Sequence, residues 1–249
     1  MLLRAMRQRA DLVLVERGFF ESRAKARAAI EAGLVIVNGL ALRKPADGIA
    51  PEATIEASAP HPYVSRGGLK LAAALEAFGF DAREKIALDL GASTGGFTDV
   101  LLRAGAAKVY AIDVGHDQLH KSLRENPRIV SMEGVDARQL KAEMFDAPPQ
   151  LVVCDVSFIS LKLVLPHALA LASATASLAT LIKPQFEAGR ARVKKGVVRD
   201  VAIHEEICAD IRAFVTALGW RVQDIIASPI EGGDGNREFL LGATRQGTP

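Results

Sequence analysis

Residues 88–102 read "LDLGASTGGFTDVLL". An apolar run carries Asp89, the chain then breaks into Gly91, Ala92, Ser93, Thr94, Gly95 and Gly96, and a second apolar run follows at helical spacing. The change of period predicts a strand, a tight turn and a helix. So little side chain at that junction lets the backbone approach a ligand closely, and the helix start adds N–H donors.

Outward from this turn the rhythm is regular. "KIALDL", "KVYAID", "RIVSMEG", "QLVVCD" and "ASLATLI" are near-continuous apolar strands. Between them lie helical stretches, including "DQLHKSLREN", "QLKAEMF" and "SLKLVLPHALALA". That alternation predicts a parallel sheet covered on both faces, with the quoted turn at its ligand-binding edge. The end differs. After the helix "HEEICADIRAFVTALG" come "WRVQDIIAS" and "REFLLGAT", joined only by "PIEGGDGN". Eight residues permit antiparallel pairing but no helical crossover. The expected fold is therefore α/β and doubly wound, a mostly parallel seven-stranded sheet whose last strand is antiparallel.

Composition narrows the function. Hydrophobic residues make up 49% of the 249, enough for a packed core. Net charge is only +2, yet residues 1–30 hold Arg4, Arg7, Arg9, Arg17, Arg23, Lys25 and Arg27 against Asp11, Glu16 and Glu21. A basic end on a near-neutral chain points to a polyanion. Cys154 and Cys208 sit in apolar or helical context with no C-x-x-C or Cys/His cluster, so neither a structural metal nor a disulfide framework is expected. The charged N-terminus is no signal peptide, and "LKLVLPHALALASATASLATLI" reads as helix, turn and strand rather than a membrane span. A cytoplasmic chain, monomeric by preference, is expected.

The first 57 residues read as a small α+β module, 58–66 as a linker rich in Pro and Ser, and 67–246 as the larger domain. In the module, "ESRAKARAAIEAG" is a helix starting near Glu21 or Ser22 and closed at Gly33, followed by a hairpin turning at Asn38-Gly39. Arg23 and Arg27 share a helix face at i, i+4, and guanidinium groups suit phosphate oxygens. "ESRAKARAAIEAGLVIVNG" resembles the S4-like RNA-binding domain, which implies an RNA-facing surface of Arg23, Lys25, Arg27 and Asn38. "RADLVLVERG" departs from the Arg-Leu-Asp common in that family. Arg66 and the loop residues Arg190, Lys194, Lys195 and Arg199 are further expected phosphate contacts.

The turn itself reads G-A-S-T-G-G, with Ser93 where a dinucleotide fingerprint has its middle glycine. D-x-G-x-x-x-G-G is similar to the S-adenosylmethionine turn of class I methyltransferases. The resemblance implies cofactor contacts from Asp89, Gly91, Ser93, Gly95, Gly96 and Phe97. It also implies Asp113 on the ribose hydroxyls and Asp136 on the adenine amine. Strand polarity adds an independent argument: Asp155 and Lys183 follow parallel strands, while Glu238 begins an antiparallel one, so all three leave the sheet at the edge of Gly91. Lys70, in the helix before the first of these strands, can reach the same place. Lys-Asp-Lys-Glu in this order resembles the tetrad of FtsJ-type RNA ribose 2′-O-methyltransferases. With "YVSRGGLKL", "CDVSFIS", "LIKPQFE", "KKGVVRD" and "NREFLL" in order, the chain resembles the TlyA, or haemolysin-A-like, family of rRNA 2′-O-methyltransferases. The chemistry of these residue types suits Lys183 as base or hydroxyl activator, Asp155 and Lys70 as its tuning and orienting partners, and Glu238 as a substrate-side anchor; the resemblance implies ribosomal RNA as partner and cytidine as acceptor. The competing functions are a non-catalytic RNA-binding assembly factor and a membrane-active haemolysin.

Overall fold

A computed structural model describes residues 7–245, and the chain divides between Pro62 and Tyr63 into two units. Arg4 and the side chain of Arg190 lie outside the described residues.

The first unit runs β1 (Gln8–Arg9), α1 (Ala10–Glu16), α2 (Arg23–Glu31), β2 (Val35–Val37), β3 (Leu40–Ala41), β4 (Gly48–Ile49) and β5 (Ile55–Ala57). Strands β3, β2 and β5 form an antiparallel sheet, and β1 pairs with β4. The Ser22 hydroxyl caps α2 by accepting from the Lys25 amide, and Gly33 takes the left-handed conformation after it, at φ +72°. Leu14, Ala26, Ile30, Val35 and Ile49 fill the interior.

The second unit runs α3 (Gly67–Phe78), β6 (Ile86–Leu90), α4 (Gly96–Arg103), β7 (Lys108–Asp113), α5 (Lys121–Arg124), β8 (Ile129–Glu133), β9 (Leu151–Cys154), α6 (Leu161–Ala170), β10 (Ser177–Ile182), α7 (Pro184–Glu187), α8 (Val201–Ala217), β11 (Trp220–Ala227) and β12 (Phe239–Arg245). Its seven-stranded sheet has the order β11-β12-β10-β9-β6-β7-β8, parallel except for β12, which is antiparallel to both neighbours. From β6 the chain winds outward to β7 and β8, then returns to β9 on the other side. The reversal of direction opens a crevice beyond the carboxyl ends of β6 and β9, at Gly91 and Asp155.

Two apolar layers sandwich the sheet. One joins Leu71, Leu75 and Phe78 of α3 to Phe97 and Leu101 of α4; the other joins Leu161, Leu165 and Leu169 of α6 to Ile207, Ile211 and Val215 of α8. Each fully buried side chain of this size contributes about 1.5–3 kcal/mol. Residues 63–66 pack with this unit: Tyr63 lies where a Cβ on Gly68 would stand, 2.5 Å from its ring, and the Val64 amide donates to Asp99 Oδ2.

Two expected helices are much shorter than their sequence patterns. Only Lys121–Arg124 of "DQLHKSLREN" is helical. The Glu133 carboxylate accepts from the amides of Asp117, Gln118 and Leu119, fixing them in a loop. "QLKAEMF" lies across two short 3-10 turns, Ala137–Gln139 and Ala142–Met144. Between them Leu140 is extended and buried, with its carbonyl bonded to the His167 ring.

Gly242 of β12 leaves room for the Phe78 ring; a Cβ there would stand 2.3 Å from Phe78 Cγ. Gly242→Ala is expected to destabilise the protein by about 1–3 kcal/mol through overpacking, read as a lower urea midpoint at unchanged m-value.

Candidate active site

Gly91, at φ +79°, lies against the end of β9: a Cβ would stand 2.7 Å from the Asp155 carbonyl oxygen. Ser93 follows at φ +47°, with its amide donating to Asp113 Oδ2 at 2.8 Å, and Gly115 N donates to the other oxygen. Gly95, at φ +91°, has no space for a side chain beside Leu119 and Leu123, and a Cβ on Gly96 would meet Ser65 Oγ at 2.2 Å. The small residues therefore serve close backbone approach.

Two cavities meet across this turn and share Gly91, Ser93, Asp155 and Ser157. The first, about 320 Å³, is lined by Arg66, Lys70, Thr94, Phe97 and Lys183, with Gly232 and its neighbours as one wall. The second, about 530 Å³, is lined by Asp113 and Asp136 with the apolar Ile112, Val135, Val156 and Ile159. Acids that can accept from hydroxyl or amine groups beside an apolar floor suit a nucleoside; a neighbouring cavity with carboxylate and small-residue walls suits the charged end of an amino acid. The residues present thus fit S-adenosylmethionine, with the nucleoside in the second cavity and the methionine end in the first.

The four expected catalytic residues gather here as two ion pairs. β10 and β12 pair Ile182 with Phe239, so Lys183 and Glu238 leave neighbouring strands at one edge. Lys70 is buried and bonded to Glu238, itself 4% exposed. Lys183 Nζ lies 2.5 Å from Asp155 Oδ1 and donates to Ser157 Oγ at 2.9 Å. The Asp155 contact is ionic without hydrogen-bond alignment. Lys70 was expected as a partner of Lys183; its charge is instead compensated by Glu238, which burial of both groups requires. Gly232 closes over Glu238, where a Cβ would stand 2.0 Å from Oε1.

Asp89 is not brought to either cavity lining. It is fully buried beneath the turn, with Oδ2 accepting from the Thr98 hydroxyl at 2.6 Å and Oδ1 unpartnered. Burial pushes its carboxyl up to about 7, opposed by the Thr98 bond and assisted by the charge of Asp155. Asp136 does line the nucleoside cavity, and its ion pair with Arg138 holds it down at about 2.

Ser157 and Phe158 are absent from the residues expected from sequence. Phe158 follows the catalytic edge at φ +65°, 91% exposed, with its ring 5.1 Å from that of Phe186. Its sequence signal is an aromatic residue in the polar turn just after a strand end. A bulky residue rarely takes the left-handed region, so this position departs from ordinary backbone geometry.

In the first unit Asp11 is fully buried, bonded to Arg9 and Arg23, and these guanidiniums hold it well below the usual carboxylate range. Arg23 is thus fixed while its head stays exposed; Arg27 is exposed and Lys25 reaches Glu21. Asn38 sits at φ +50° with its side-chain oxygen accepting from Thr54 N. Lys194, Lys195 and Arg199 are exposed on a loop in which Lys194 and Val197 form a bridge.

The sheet order, the glycine turn and the two aspartate-edged cavities define a class I, S-adenosylmethionine-type methyltransferase fold. Residues 63–245 match the model of the FtsJ-like methyltransferases and residues 8–55 that of the S4 domain. The chain belongs to the FtsJ-like methyltransferase family, with an S4 domain at its N-terminal side. It is 43% identical to 16S/23S rRNA (cytidine-2′-O)-methyltransferase TlyA of Mycobacterium tuberculosis, over 95% of this chain and 90% of that one. It is 44% identical to Hemolysin A of Brachyspira hyodysenteriae, over 93% and 98%. A solved structure from Streptococcus thermophilus, described as a candidate hemolysin, superimposes with TM-score 0.76 at 40% identity, covering 98% of this chain and 90% of that one.

The burial of Asp89 has a measurable consequence. Its folded-state pKa is raised, so the folded state favours the neutral acid, and stability falls as pH rises from the usual carboxylate range through about 7. Asp89→Asn removes that penalty. Between pH 5 and 8 the unfolding free energy of the variant should gain on wild type by about 2.5 kcal/mol, whatever constant offset the amide introduces. A pH-independent difference in thermal unfolding would sink this assignment.

Proposed function

We propose that the protein is an S-adenosylmethionine-dependent methyltransferase that modifies a ribose 2′-hydroxyl of ribosomal RNA, with cytidine as the acceptor nucleotide. The observation that carries this proposal is the placement of Lys183, Asp155, Lys70 and Glu238 as two ion pairs at the edge where the glycine turn meets the nucleoside cavity.

S-adenosylmethionine, when bound, supplies an electrophilic methyl group. Asp113 would accept from its ribose hydroxyls, Asp136 from its adenine amine, and the turn from Gly91 to Gly96 would receive its methionine end. A ribose 2′-hydroxyl is a poor nucleophile at neutral pH. Lys183, in its neutral form, takes the proton: the O–H bond breaks, the electron pair stays on oxygen, and the proton passes to Nζ. The Asp155 carboxylate then stabilises the ammonium so formed. Lys70 lines the adjoining wall and is held there by the buried Glu238 at the start of β12, beneath Gly232. Phe158 and Phe186 offer an exposed aromatic surface on which a base lifted from its stack can lie. Exposed cations at Arg23, Arg27, Lys194, Lys195 and Arg199 suit the RNA backbone.

No helix among the described residues is long and apolar enough to cross a membrane. A non-catalytic assembly role leaves the two convergent ion pairs at the cavity without a purpose.

The direct test supplies methyl-labelled S-adenosylmethionine with ribosomal subunits or naked rRNA and identifies the modified nucleoside by mass spectrometry. Label in a ribose-methylated cytidine is expected; absence of ribose label from a protein that binds the cofactor rejects the proposal. Lys183→Ala is expected to lower kcat by about 10²–10⁴-fold, the range for loss of a general base, with cofactor affinity retained. For the first unit, Arg23→Ala and Arg27→Ala are each expected to reduce rRNA affinity and lower the slope of log K against log salt by about one. An unchanged slope removes that residue from the phosphate-contact set.

A further inference from the structure

We propose that Ser157 is a positioning residue for Lys183, its hydroxyl oxygen setting the direction of the lysine nitrogen at the junction of the two cavities. The inference rests on the ribose-methylation reading above.

Lys183 has two neighbours of different character. Asp155 Oδ1 is 2.5 Å from Nζ but out of hydrogen-bond alignment. Ser157 Oγ accepts a hydrogen bond from Nζ at 2.9 Å. A Coulomb contact stabilises charge with little angular preference, whereas a hydrogen bond weakens steeply away from linearity. Ser157 therefore fixes where the head of a flexible four-carbon stem points.

Direction matters most in the neutral form. A neutral amine has two N–H bonds and one lone pair. With one N–H held on Ser157, the lone pair can be turned to the cavity that Lys183 lines. Ser157 lines both cavities, so it stands where the acceptor oxygen must meet the methyl donor. Its own side chain is exposed and outside the apolar layers, so its loss removes the anchor without disturbing the core. Ser157 acts only through Lys183 and takes no proton itself.

The test uses the full chain with ribosomal subunits, comparing Ser157→Ala and Ser157→Thr with wild type. Ser157→Ala is expected to lower kcat by about 10- to 100-fold, the scale of a misdirected catalytic group, with KM for rRNA within about twofold. S-adenosylhomocysteine affinity, measured by calorimetry, should stay within the same twofold. Ser157→Thr keeps the hydroxyl and should restore kcat to within about threefold of wild type. In a Lys183→Ala background, Ser157→Ala should have no further effect on the residual rate, because the group it directs is gone.

Wild-type kcat in Ser157→Ala, a loss confined to KM or cofactor affinity, failure of threonine to rescue, or full additivity with Lys183→Ala each overturns the inference while ribose methylation by wild type stands. A wild-type protein that binds cofactor but leaves ribose unmethylated overturns the functional reading and this inference together.

Discussion

The chain reverses its winding direction between β6 and β9, and the two strand ends are held so close that Gly91 has no room for a side chain against the Asp155 carbonyl. Everything at the site depends on that contact. It brings the turn that would receive a methionine group next to the residue that pairs with Lys183. A larger residue at position 91 would have to push the end of β9 away and carry Asp155 with it. Glycine is required there twice over, for space and for a left-handed backbone.

Around that contact the charges are arranged in compensated pairs. Lys70 with Glu238 is buried on both sides, and leaving either partner alone would place an uncompensated charge in the interior. Lys183 with Asp155 is more open. Asp89 differs from both: buried without a cation, it is driven toward its neutral form, while its bond from Thr98 ties the end of β6 to the start of α4.

Asp11 plays a comparable part in the first unit. A buried carboxylate holds Arg9 and Arg23 by their guanidinium groups while those side chains stay about half exposed. Fixing an arginine in advance reduces the entropy lost when it meets a phosphate. Arg192 is drawn to Glu206, while Lys194, Lys195 and Arg199 are exposed.

Much of this was legible in the residue order. The alternation of apolar strands with helices, the eight-residue connection before "REFLLGAT", the Ser22 cap and the glycine turn all follow from local chemistry: period, turn propensity and the length a crossover needs. Strand polarity alone carried Asp155, Lys183 and Glu238 to one edge. Sequence could not say that Lys70 would pair with Glu238, 168 residues away, that Asp89 would lie beneath the turn, or that Ser157 would meet Lys183. Nor did the helices expected at 117–126 and 139–145 form at full length, because Glu133 captured three amides and Leu140 was drawn into the core. Backbone elements are specified by neighbours along the chain, whereas a buried charge takes whichever partner packing brings within reach. The order of residues therefore determined the sheet and its working edge, and tertiary packing decided which acid faces which lysine there.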